Sequence, residues 1–265
     1  MEAKQKPLVF YDFLCAPPLR TFAPNPWKTR LALNLKAAPY RTAWTDLPDI
    51  EPTRKRLGVP ASRKFLDGSD YHTLPLLYDA EADKYVGDSF EIALHLDERF
   101  PDGPRLVAPG AAGVTKAWND RVDALFSRFV RLGVHRMPLN PDSADRSRQM
   151  FVDRARAHML PYADGPAPAD LTFDDLAVAG DERADLLAGF RAALAEFDET
   201  YYAYARGDGP FLDGDRPTYA DLIVAGWVGM MHEVLPPHEL ADFQTWQNGH
   251  WAKLWKALAK YADIV

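Results

Sequence analysis

Apolar residues in the first hundred positions fall in short bunches, and beyond about residue 110 they recur at threes and fours. Such a change of period marks a change in the kind of structure being built. Leu8-Val9-Phe10-Tyr11 has the length of a buried strand. Asn25-Pro26 predicts a helix start, since asparagine is a strong N-cap and proline suits the first helical position. Trp27, Leu31 and Leu35 carry that helix to Ala37-Ala38, before Pro39. Pro39 to Trp44 reads as a second strand, and the polar, proline-broken stretch from Asp46 to Asp70 as a short helix and loop. Leu74 to Tyr78 and Lys84 to Val86 predict a hairpin. Asp88, with Glu91 three residues later, predicts a capping box on a helix that ends at Arg99-Phe100-Pro101.

The order βαβ, α, ββα is that of a thioredoxin-like α/β domain, expected over residues 1–103. Residues 104–265 show no strand signal and predict an all-α domain. Val114, Trp118, Val122, Leu125, Phe129 and Leu132 form one amphipathic stripe, read as a single long helix. Arg146 to Met159 is a second helix, Leu186 to Phe197 a third, and Thr218-Tyr219-Ala220-Asp221 a capping box opening an apolar fourth. The final helix carries Phe243, Trp246, Trp251, Leu254, Trp255 and Leu258. Between them Pro161 to Asp181 reads as a long loop, of a length that often has a function.

Charge and composition narrow the classes. A net charge of −7 argues against a nucleic-acid partner, and the absence of a long apolar run argues against a membrane partner. The polar start and the single cysteine, Cys15, fit a cytoplasmic chain and give no zinc cluster or internal disulfide. No metal-ligand, phosphate-loop or serine-elbow motif is present, so no metal is expected. Two basic stretches, Arg54-Lys55-Arg56 with Arg63-Lys64 and Arg146 to Arg156, read as solvated loop or helix face.

Leu74-Pro75, Asp88-Ser89, the Asp97 to Pro101 run and Thr218 to Asp221, in this order and spacing, resemble the glutathione transferase family. Thr21 to Arg30 is more particularly similar to its β-etherase-related branch, whose members place a serine before the proline that heads the first helix. The resemblance implies glutathione as co-substrate, a hydrophobic or aromatic small-molecule substrate, and a homodimer. Conjugation or ether cleavage, in detoxification or secondary metabolism, would fit. A non-catalytic ligand-binding protein and a glutathione-independent isomerase or cyclase are the alternatives.

It also implies roles for residues. Pro75 would follow a cis peptide bond that presents the backbone of Leu74 to the cysteinyl unit of glutathione, although by its residues alone Leu74-Pro75 reads as a trans proline opening a strand. Ser89 and the helix amides would take the γ-glutamyl carboxylate, and Asp88 its ammonium; both residues also serve as simple caps. His72 and Thr73 would reach the glycyl end, with Lys64 or Arg63 on its carboxylate. At the branch's serine position stands Ala23, which has no donor. The thiolate would therefore rely on Asn25 and the helix N-terminus, from which the N–H groups of Trp27 and Lys28 would point outward, or on Thr21; Cys15 could instead form a mixed disulfide, although by its residues it reads as a buried thiol. Phe13, Leu14, Phe22 and Trp27 from below, and Phe126, Phe129, Val130 and Met137 from above, would wall the acceptor pocket, with His135 and Arg136 orienting a phenol or carboxylate. The 161–181 loop would cover it.

Overall fold

In the computed structural model, which describes residues 6–157, 167–205 and 209–265, the apolar run at the start becomes the centre of a sheet. The first part of the chain runs β1 (Leu8–Phe13), α1 (Pro24–Leu35), β2 (Tyr40–Thr45), α2 (Ile50–Arg56), β3 (Arg63–Lys64), β4 (Asp70–Tyr71), β5 (Leu76–Asp79), β6 (Lys84–Val86) and α3 (Ser89–Arg99). The four-stranded sheet has the order β2-β1-β5-β6. β1 lies parallel to β2, with Leu8 opposite Tyr40, and antiparallel to β5, with Phe10 opposite Leu77. The small β3–β4 hairpin, which the sequence reading took as loop, stands apart from this sheet.

The second part is helical: α4 (Ala112–Ser127), α5 (Arg131–Val134), α6 (Ala144–Arg156), α7 (Gly180–Tyr201), α8 (Tyr219–Val234), α9 (Pro237–Phe243) and α10 (Trp246–Leu258). The stripe expected as one helix from Val114 to Leu132 breaks after Ser127. Within α5 a β-carbon on Gly133 would sit 2.4 Å from Cγ2 of Val234, so α5 lies against α8 at a distance that only glycine allows. The last predicted helix is also interrupted, because Gln247, Asn248 and Gly249 all take left-handed φ values. The Thr218–Asp221 capping box is present. Asp88 caps α3 by accepting from the Phe90 N–H at 2.8 Å, whereas Glu91 lies in a cleft wall instead of closing the expected box. Residues 161–166 of the predicted loop lie outside the described residues; beyond them, Leu171 is buried beside Val152 and Ala155.

α8 is the central post of the core, and nearly every residue from Tyr219 to Met231 is buried. It meets α1 closely. A β-carbon on Gly226 would lie 2.6 Å from the Pro24 carbonyl oxygen and 2.8 Å from Cγ of Lys28. Gly226→Ala is therefore expected to cost about 1–3 kcal/mol through overpacking and to displace the start of α1. Urea unfolding of the variant checks the cost. No described helix is long and apolar enough to cross a membrane, and the described residues hold no group of three or more His, Cys, Asp or Glu placed for a metal.

Candidate functional site

The first turn of α1 is unusually poor in donors. Ala23 is the N-cap, with an extended backbone and no side-chain cap, so the helix starts at Pro24 and not at the predicted Pro26. Prolines at 24 and 26 carry no N–H. Trp27 donates its own N–H to the Ala23 carbonyl at 3.1 Å, and Lys28 lies inside the helical ladder. Asn25 alone among the first three helical residues keeps a free N–H. This corrects the expectation that the amides of Trp27 and Lys28 point outward, and it removes Asn25 from the capping role. The Asn25 side chain is half-buried, has no hydrogen-bond partner among the described residues, and lines a cleft of about 510 Å³.

The other candidate thiol partners are engaged elsewhere. Thr21 is fully buried; its hydroxyl donates to Asp12 at 2.6 Å and accepts from Arg30 Nε at 2.6 Å. Arg30 also donates to Asp12 at 3.0 Å and to the Tyr40 hydroxyl at 3.2 Å, so a buried network anchors the loop that leads into Ala23. Cys15 is buried, its thiol 3.3 Å from the Arg20 carbonyl, and burial pushes its pKa up.

Across the cleft from Asn25 stand Asp88 and buried Ser89 at the start of α3. The Leu74–Pro75 peptide is cis, and the Leu74 N–H and C=O have no hydrogen-bond partner among the described residues. α4 supplies a third wall through Asn119 and Asp123. Both bond the fully buried Lys28, at 2.9 and 2.7 Å, and Asp123 also accepts from Trp227 Nε1 at 2.7 Å. Burial pulls the Lys28 pKa down, and Asp123 opposes that shift.

One residue holds the backbone of this cleft together, and the sequence reading missed it. Arg54 is 1% exposed and donates to the carbonyls of Thr73 (2.7 Å), Gly87 (3.2 Å) and Pro60. It thereby joins the segments before Pro75 and before Asp88. A signal existed: Ile50, Arg54 and Leu57 share one face of α2 at spacings of four and three.

A second, larger cleft of about 1170 Å³ opens between α2, the β3–β4 hairpin and α6. Phe13, His72 and Thr73 line it as well as Met150, Asp153 and Arg154, so α6 is a cleft wall and not only the solvated face expected from its charges. Lys64 lines neither cleft: it is exposed and ion-paired with Asp70, while Arg63 lies at the first cleft.

The remaining acceptor-pocket residues are not brought together. Phe126 is fully buried, stacked on Trp227 at 5.4 Å; Phe129 is core against Phe190; Trp27 packs edge-on to Trp255 at 5.1 Å. Val130 and Met137 pack on the same core. Phe22 is buried behind Phe13, and Leu14 lines neither cleft. His135 pairs with Asp174 at 3.0 Å, and Arg136 donates to the Val234 carbonyl at 3.1 Å. Aromatic spacing in the sequence marked core here, because a stripe facing a neighbouring helix and one facing a ligand look alike.

Residues 22–99 match the family profile described as glutathione S-transferase, N-terminal domain, and residues 167–261 that described as glutathione S-transferase, C-terminal domain. The glutathione S-transferase-like protein ustS of Aspergillus flavus is 26% identical over 99% of this chain and 93% of its own length. A glutathione S-transferase of Ceriporiopsis subvermispora, solved in complex with glutathione, is 30% identical, covers 98% of this chain and 99% of its own, and superposes with a TM-score of 0.83. The β-etherase LigF of a Sphingobium species covers 94% of this chain and 93% of its own, at 15% identity and a TM-score of 0.55, which shows a shared fold alone.

Proposed function

The chain belongs to the glutathione S-transferase family, and from that premise and the cleft around Asn25 we propose that it is a glutathione-dependent transferase or lyase of hydrophobic, aromatic small molecules. The observation that carries the reading is the meeting of the free amide of Asn25 with Asp88-Ser89 at a helix start in one cleft, whose Arg54 also holds the Thr73 carbonyl just before the cis Leu74–Pro75 bond. Together they match the chemistry of glutathione from one end to the other. Ser89 and the α3 amides suit the γ-glutamyl carboxylate, Asp88 its ammonium, and Leu74 the cysteinyl backbone. His72 and Thr73, in the adjoining cleft, suit the glycyl end. Residues 1–103 then supply most of the glutathione side, and residues 104–265 the acceptor wall, with two copies pairing as a homodimer.

Bound glutathione supplies a nucleophilic sulfur. Asn25 holds its thiolate form by donating from both its backbone N–H and its side-chain amide, at the positive end of α1. A second reading, a binding protein without turnover, is favoured by Ala23, which offers the sulfur no hydroxyl. Thiolate absorbance of the bound peptide, titrated against pH, separates the two. The transferase reading expects a thiol pKa below the free value of ~8.5, raised again in Asn25→Ala with turnover down roughly ten- to hundredfold. Ala23→Ser is expected to add a donor and lower it further. Binding with an unshifted thiol in the natural chain would leave the binding protein.

A further inference from the structure

The second cleft carries an arginine that has no ion pair among the described residues and lies beside a pair of aromatic rings. Phe65 and Tyr71, from the β3–β4 hairpin, stack face to face with centroids 4.1 Å apart. Arg154 reaches over from α6, its guanidinium carbon 5.2 Å from the Phe65 ring and 5.3 Å from the Tyr71 ring. Its charged neighbours are already committed. Arg146 pairs with Asp49 at 2.8 Å, Lys55 with Glu51 at 2.7 Å, and Asp145 with Arg148 at 3.1 Å; Asp153 accepts from Gln149 at 2.7 Å. Arg154 makes no ion pair and no hydrogen bond among the described residues. It is half-buried, and burial pulls its pKa down.

A guanidinium has five donors in a planar fork, and stacking on rings uses its faces while leaving those donors in the plane. Here the fork is stripped of part of its water, lies against the two rings, and has no carboxylate partner among the described residues. The ligand that completes it is an anion with two acceptor oxygens attached to a flat apolar body able to lie along the aromatic wall. We propose that Arg154, on the platform of Phe65 and Tyr71, binds the carboxylate of a flat aromatic acceptor and so sets the acceptor specificity of the second cleft. The proposal deepens the transferase reading and rests on it for the word acceptor. The carboxylate of glutathione's own glycyl end is the competing source, because His72 and Thr73 line the same cleft.

Calorimetric titration of the full chain, in its natural form and as Arg154→Met and Arg154→Lys, tests the assignment with four probes. Cinnamate is a flat aromatic carboxylate and cinnamamide its neutral counterpart; glutathione and γ-glutamylcysteine differ by the glycyl end. The natural chain is expected to bind cinnamate at least tenfold more tightly than cinnamamide. Arg154→Met should erase that preference while holding cinnamamide within about twofold. Arg154→Lys, a point charge without the fork, should keep only part of it. Equal binding of the two cinnamic probes by the natural chain, or a preference that survives in Arg154→Met, overturns the proposal. So does a loss of glutathione affinity in Arg154→Met with γ-glutamylcysteine unchanged, which would give the guanidinium to the glycyl end. Failure of glutathione to bind the natural chain, with the cinnamate preference intact, would sink the transferase reading and leave the carboxylate site standing. Unfolding curves of both variants confirm that the folded chain is what is titrated.

Discussion

Arg54→Ala is expected to cost about 3–5 kcal/mol of stability, and to weaken glutathione binding at least tenfold in the molecules that stay folded. Its guanidinium is buried and satisfies the carbonyls of Thr73, Gly87 and Pro60. A buried acceptor left without its donor costs about 1–3 kcal/mol, and water entering the vacated space offsets part of the sum. The binding effect has a separate origin. Thr73 leads into the Leu74–Pro75 bond and Gly87 leads into Asp88, so releasing both carbonyls loosens the two backbone segments that are to hold the peptide. Gly87 is fitted to the same contact, since a β-carbon there would lie 2.6 Å from Nη2 of Arg54. Urea unfolding and glutathione titration, run side by side, separate the two effects. A folded Arg54→Ala chain with unchanged affinity would show that the cleft is braced elsewhere.

Arg30→Met carries the second large effect, and it has a pH signature. Asp12 and Arg30 are both fully buried, and removing the cation leaves a carboxylate supported, among the described residues, by Thr21 and the Phe13 N–H. Breaking such a pair from one side costs about 3–5 kcal/mol. Burial already pushes the Asp12 carboxyl above its ordinary range, and Arg30 is the chief group opposing that rise. Without Arg30 the pKa climbs further. A carboxyl whose folded-state pKa lies above its unfolded value binds more protons folded than unfolded, so stability rises as pH falls. The deficit of the variant against the natural chain is therefore expected to be largest at neutral pH and to shrink as pH falls through the raised Asp12 pKa. A deficit that grows on acidification would contradict this account. Because the Asp12–Thr21–Arg30 network anchors the loop into Ala23, the thiol shift of bound glutathione should weaken in the same variant.

Much of the first half could be read from residues because its signals are local. A compact apolar run, a proline-headed helix and an Asp-Ser helix start each declare themselves within a few positions, and Ala23 was visible as a missing hydroxyl. What escaped was set by distant partners. Thr21 looked like a free donor until Asp12 and Arg30 claimed it. Arg54 and Arg154 looked like surface charge, since their burial comes from loops and rings brought in from elsewhere in the chain. Phe126 and Phe129 were attractive as pocket walls for the property that places them in the core. The start of α1 moved by two residues because proline at position 24 suits a helical start as well as proline at position 26.

The two clefts are built from different material, and this bears on how the chain can change over generations. Around Asn25 the supporting side chains, Lys28, Arg30 and Arg54, are buried and bonded to several partners each, so one exchange there disturbs stability and geometry together. Around Arg154 the wall is a row of part-exposed residues on one face of α6 and a short hairpin. Exchanges on such a surface are mostly within about 0.5 kcal/mol of neutral. Random mutagenesis should consequently yield descendants that accept new partner molecules from substitutions at 146, 149, 150, 153, 154 and 157 and at 71. The machinery facing the thiol would pass through the same library nearly unaltered, which makes α6 the place to begin directed evolution of this scaffold.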